Sequence, residues 1–139
     1  MRRLVRVATA GLIGAMVLGA APAALASHGG RVAPRSGGGG AIEKSGPCSA
    51  ASTWKLKAKT DNGLLEVEFE VDQNVVGDVW NVVMKDNGTR FFRGQRTTQA
   101  PGGSFTVRRR IANQSGTDTI QARAKNQSTG EICQGSLSI

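Results

Sequence analysis

WKLKAKTDNGLLEVEFEV, residues 54 to 71, alternates apolar and charged side chains on either side of an Asp-Asn-Gly. Trp54, Leu56 and Ala58 fall on one face and Lys55, Lys57 and Lys59 on the other, while Leu65, Val67, Phe69 and Val71 alternate with Glu66, Glu68 and Glu70. A period of two belongs to a strand that buries one face. Asn62-Gly63 is the pair that most readily takes the positive φ angles of a type I′ turn, so the spacing predicts a tight hairpin. That turn sets Lys59 opposite Glu66, Lys57 opposite Glu68 and Lys55 opposite Glu70, with Leu56 opposite Phe69 inside. A charge ladder and an apolar ladder thus align from one turn. Exposed pairs contribute only about a few tenths of a kcal/mol each, so the ladder mainly specifies register.

Working outward, a second Asp-Asn-Gly at residues 86 to 88 separates Val79 to Met84 from Arg90 to Arg93 and predicts a second hairpin. Its expected register pairs Met84 with Phe91 and Val83 with Phe92, which places Trp80, Val82, Met84 and Phe91 in the core and Val83 and Phe92 outside. Ala100-Pro101-Gly102-Gly103 reads as a loop before a strand through Phe105, Val107 and Ile111. After Gln114-Ser115-Gly116, Ile120, Ala122 and Ala124 alternate with Gln121, Arg123 and Lys125, and Ser128-Thr129-Gly130 leads into a last strand with Ile132, Cys133 and Leu137. Seven strands with frequent turn signals and no helical period predict an all-β fold, a single seven-stranded antiparallel sandwich. One position conflicts with this pattern. Phe105, Val107 and Ile111 share a parity that also points Arg109 inward, and a bare buried guanidinium is costly, so a β-bulge or a dedicated acidic partner is expected there.

The segment from Cys48 to Ile139, with Trp80 on its third strand, resembles an immunoglobulin-like or fibronectin-type-III-like domain. It is similar to small secreted proteins of high-GC Gram-positive bacteria that have no assigned function. The resemblance implies an immunoglobulin-like β-sandwich over residues 48 to 139 and carries no functional residues with it. Two departures separate it from the antibody pattern. There is no tyrosine for a tyrosine corner, and the cysteines lie at the first and last strands rather than on the second and sixth.

Upstream, Met1 to Ala26 has Arg2, Arg3 and Arg6, an apolar run from Val7 to Ala21 and a closing Ala24-Leu25-Ala26, the layout of a secretory signal peptide cleaved after Ala26. The run is diluted by Gly11, Gly14 and Gly19 and broken by Pro22, unlike a membrane span. The expected product is secreted and extracellular, without a transmembrane segment. The general secretory route is expected, since Arg2-Arg3 lacks the flanking residues of a twin-arginine signal. Residues 27 to 47, SHGGRVAPRSGGGGAIEKSGP, offer few side chains to bury and read as a flexible Gly-rich linker. Cys48 and Cys133 are the only cysteines, and an oxidising compartment favours their pairing as a disulfide. Free thiols or a two-cysteine metal site are the alternatives, neither with histidine partners.

Little catalytic chemistry is available to this inventory. The single histidine, His28, sits in the linker, so with the cysteines paired no Ser-His or Cys-His couple exists, and no enzyme activity is expected. Glu66, Glu68 and Glu70 line one outward face beside lysines, as a salt-bridge ladder rather than a glycosidase pair. Neither Asp-Asn-Gly has the carboxylate spacing of a calcium loop, and no metal or cofactor is expected. The triplets beginning at Asn87, Asn113 and Asn126 match the glycosylation pattern, which in a bacterial chain is ordinarily chance.

Charge is the remaining lead. The chain carries 18 Lys and Arg against 10 Asp and Glu. Residues 84 to 125 concentrate nine of the basic groups, Lys85, Arg90, Arg93, Arg96, Arg108, Arg109, Arg110, Arg123 and Lys125, against Asp86 and Asp118. Arg90, Phe92, Arg93 and Arg96 form the candidate binding face, guanidinium forks meeting an anionic group and an exposed ring adding apolar contact. The expectation is a secreted, non-catalytic recognition or accessory domain of unknown partner, with an anionic cell-wall polymer or an extracellular protein, rather than nucleic acid, as the candidates for its basic face. The competing expectation is a structural or inhibitory protein that binds another protein through its loops. The bland reading of the basic face is that some of its arginines complete the ladder against Glu66, Glu68 and Glu70 and the rest are simply solvated.

Overall fold

A computed structural model describes residues 40–139, so the expected leader Met1 to Ala26 and the linker as far as residue 39, with His28, lie outside the described residues. Eight strands follow in order: β1 (Ala41–Pro47), β2 (Thr53–Asp61), β3 (Leu64–Asp72), β4 (Val79–Asp86), β5 (Thr89–Thr97), β6 (Ser104–Ala112), β7 (Thr119–Asn126) and β8 (Ile132–Ser138). They form two antiparallel four-stranded sheets, ordered β1-β2-β3-β6 and β5-β4-β7-β8. Alternating inward side chains of both sheets make one core, including Leu56, Val67, Phe69, Trp80, Val82, Met84, Val107, Ile120 and Leu137. Trp80 and Phe105 meet across it with ring centroids 6.1 Å apart.

The β2–β3 hairpin has the expected register throughout, Lys59 opposite Glu66 and Leu56 opposite Phe69. Asn62 and Gly63 take φ of 51° and 77°, the positive angles the turn requires. The second hairpin differs. Asn87 and Gly88 make the same kind of turn, at φ of 46° and 82°, but the register shifts between Met84 and Lys85, so that Met84 faces Phe92 and Val83 faces Arg93. Phe91 is the extra residue of this bulge and is half-buried. Phe92, expected outside, is turned inward and is 8% exposed. A one-residue shift exchanges the faces of everything beyond it.

The other correction concerns residues 41 to 47. Expected as the end of the linker, they pair with β2 from Ala41 opposite Lys59 to Pro47 opposite Thr53, which makes eight strands rather than seven. Nearly all their side chains are exposed, so backbone hydrogen bonds to β2 hold this strand and no apolar alternation marks it.

Cys48, in the connection between β1 and β2, and Cys133, on β8, form the expected disulfide. It joins the two sheets at one edge, where β8 lies across β1 and β2. At the opposite edge β5 lies across β6. No helix occurs among the described residues.

Candidate functional site

The nine basic residues of the 84–125 segment are sorted by strand parity into three environments. Arg108 and Arg110 point outward from β6 and complete the ladder of the first sheet. Arg108 Nε donates to Glu68 Oε2 at 2.8 Å and lies 3.9 Å from Glu66 Oε1. Its Glu68 bond holds the guanidinium pKa above its ordinary value. Arg110 bonds Asp61 and sits 3.7 Å from Glu66, which Lys59 approaches to 3.4 Å from the other side. That face carries both signs side by side.

The second sheet is different. Arg93 faces Val83, Val83 faces Arg123, and Arg123 faces Gln134, so one row crosses the outward face from β5 to β8. The neighbouring rows carry Lys85 opposite Arg90 and Asn81 opposite Lys125. All five cations are exposed. Asp86 is the one carboxylate carried by these four strands, and it is buried. None of the five cations forms an ion pair among the described residues. A shallow groove of about 670 Å³ runs along this face, lined by Val83, Lys85, Gln121, Arg123, Gln134 and Ser136 among others. Uniform sign over a sheet face raises the local concentration of anions, and exposed guanidinium forks bind their oxygens directly.

Arg96 and Arg109 occupy the third environment, the edge where β5 lies across β6. Arg109 is half-buried, β6 pairs with β3 without a register shift, and no carboxylate is within ion-pair distance. The expected bulge or acidic partner is therefore absent at this position. The guanidinium instead stacks on Phe92, with Cζ 4.4 Å from the ring centroid, and donates from Nη1 to Arg108 O at 2.8 Å. An arginine at an open edge can lay its stem on apolar surface and keep its head wet. Arg96 stacks on the same ring at 4.9 Å. Of the expected binding face, Arg90 and Arg93 thus point outward, while Phe92 and Arg96 face the sheet interface. The bulge divides the group.

Three polar arrangements, wholly or partly buried, have no signal in the sequence pattern. Trp80 Nε1 donates to Gln73 Oε1 at 2.9 Å, Gln73 Nε2 donates to Asp78 Oδ2 at 2.6 Å, and Asn126 Nδ2 donates to the same oxygen at 2.9 Å. The amides of Asn126 and Gln73 hold the Asp78 carboxyl below its ordinary pKa. Asn126 is fully buried, which takes it out of the glycosylation pattern. Glu131 accepts from Ser52 N and Ser52 Oγ at 2.8 Å each and from Ala50 N at 3.2 Å, fixing the turn after Cys48. At the opposite end, Asp86 lies against Asp118, both buried. Burial, and then the neighbouring Asp118 charge, push the Asp86 pKa up.

Among the described residues no three His, Cys, Asp or Glu side chains cluster as a metal centre would require. Compared with protein-family models, curated proteins and solved structures, the chain matches none of them.

Proposed function

We propose that this chain is an exported, non-catalytic recognition domain of immunoglobulin-like fold that binds an anionic cell-wall polymer along the outward face of its β5-β4-β7-β8 sheet. The observation that carries the reading is the charge segregation: five exposed cations, no outward carboxylate on the same four strands, and a first sheet on which Lys59, Arg108 and Arg110 are paired with Glu66, Glu68 and Asp61. A polymer with a charge on every repeat would engage the Arg93–Arg123 row and its neighbours together.

The immunoglobulin-like part is supported by strand order. Apart from β1, β4-β7-β8 follow the order of strands C, F and G, β5 adds beside C, and β2-β3-β6 make the opposing sheet. Trp80 is then the buried tryptophan of strand C. Export is supported by the leader-like residues 1 to 26 and by the disulfide. The non-catalytic reading rests on the side-chain inventory, with both cysteines paired and the sole histidine at position 28.

Calorimetric titration of the full chain with a purified poly(glycerol phosphate) wall polymer, at rising salt, tests the reading. Binding should weaken as salt rises, and Arg93→Ser with Arg123→Ser should weaken it about tenfold. Binding indifferent to salt and to the double substitution would move recognition to the loops, as in a structural or inhibitory protein.

A further inference from the structure

The alternation that builds the core is violated twice at one place. Arg96, opposite Trp80 on β5, and Arg109, opposite Val67 on β6, both occupy inward positions, one from each sheet, and both stack on the Phe92 ring. We infer that the edge where β5 lies across β6 is a binding site for a single oxyanion, a phosphate monoester or a carboxylate, bridged by these two guanidinium groups.

Three observations carry this. The guanidinium groups are positioned: Arg96 Nη1 donates to Gln95 O at 2.7 Å and Arg109 Nη1 to Arg108 O at 2.8 Å, so each is pinned by its own strand. The ring they share is held too, because Phe92 folds over Gly94, where an added Cβ would come within 3.1 Å of the Phe92 Cζ. Next, the charges are unmatched. A guanidinium has five N–H donors, and each of these donates only to its neighbouring backbone carbonyl among the described residues. Acids lie close in sequence register, opposite Arg108 and Arg110, but strand parity puts them on the far face of the sheet. Finally, two like charges share one ring at half-buried positions. Stacking on phenylalanine offsets little of that repulsion, whereas an oxyanion bridging the two forks reverses its sign. Local rules broken in concert at one spot mark a site shaped for something other than packing.

The site uses inward positions and does not depend on the outward face of the second sheet. Heteronuclear NMR of the full chain, following the Arg Nε–Hε signals during titration with inorganic phosphate at constant ionic strength, tests it. Arg96 and Arg109 should shift along a saturating curve, and Arg93 and Arg123 should not. Methyl phosphate and acetate arms separate phosphoryl from carboxylate recognition, and saturation by either supports the site. Arg96→Gln or Arg109→Gln should weaken binding about tenfold, and Arg109→Lys, which keeps the charge and loses the fork, should weaken it as well. The Lys44→Gln variant, changed at an exposed position of β1 that belongs to neither site, should bind phosphate unchanged. Shifts that rise linearly without saturation for all three anions, or that are equal at all four arginines, would overturn the inference while leaving polymer binding by the outward face standing.

Discussion

The indole of Trp54 lies against the backbone of Gly135, so close that a Cβ added at position 135 would fall 2.2 Å from its Cζ3 and 2.4 Å from its Cη2. Trp54 belongs to β2 and Gly135 to β8, so this contact joins the two sheets beside the disulfide. Its Nε1 donates to Pro47 O at 3.2 Å, which fixes the ring in place. Gly135→Ala should destabilise the fold by about 2 to 3 kcal/mol, since a rigid ring must move. A denaturant double-mutant cycle with Trp54→Leu should recover much of that loss. Simple additivity would mean the indole is not the obstruction.

Gly135 also shows where sequence reading stops. Inside a strand pattern it is one glycine among several, and only the partner across the interface explains it. The β2–β3 hairpin was fully legible because Asn62-Gly63 and the Lys/Glu ladder specify the same register. The second hairpin was legible as a hairpin and misread by one residue, because a bulge leaves no mark in the alternation of Val79 to Arg93. β1 was invisible, since an edge strand held by its backbone needs no apolar face. The basic segment was evident from composition, but its sorting into ladder, outward face and Phe92 edge depends on parities that the bulge resets.

The Asp86–Asp118 pair gives stability a pH dependence of unusual sign. Because burial raises the Asp86 pKa in the folded chain, its neutral carboxyl contributes fully below the ordinary value of 3.8, and that contribution is lost as pH rises through the raised value. Asp86→Asn, which keeps a donor toward Asp118, should stabilise the protein at pH 7 by about 1 kcal/mol and have little effect in acid. Thermal melts of both proteins across that range check it. Equal melting temperatures throughout would show the pair is not strained.

Glu131 looks like a surface residue in the sequence, yet it is 7% exposed and accepts three hydrogen bonds from the Ala50–Ser52 turn. Glu131→Ala leaves the Ser52 N–H buried without a partner and should cost about 3 kcal/mol in denaturant unfolding. A loss under about 0.5 kcal/mol, the range of an ordinary surface substitution, would contradict the assignment.

Replacing Cys48 and Cys133 together by alanine removes a crosslink between positions 85 apart. Chain-entropy arguments put the loss at about 4 kcal/mol. Equilibrium unfolding in urea should show it as a lower midpoint with a steeper slope, since the unlinked denatured chain exposes more surface.

The two long edges of the sandwich are therefore fastened by unlike means. One has a covalent bond and an interlocked indole, and the other has a phenylalanine ring shared by two cations that repel each other. The expected order of opening is that of a book, with its spine at Cys48–Cys133 and its fore-edge at β5 and β6. Hydrogen exchange should accordingly proceed from the fore-edge inward, β5 and β6 amides before those of β2 and β8. An anion bridging Arg96 and Arg109 would then act as the clasp.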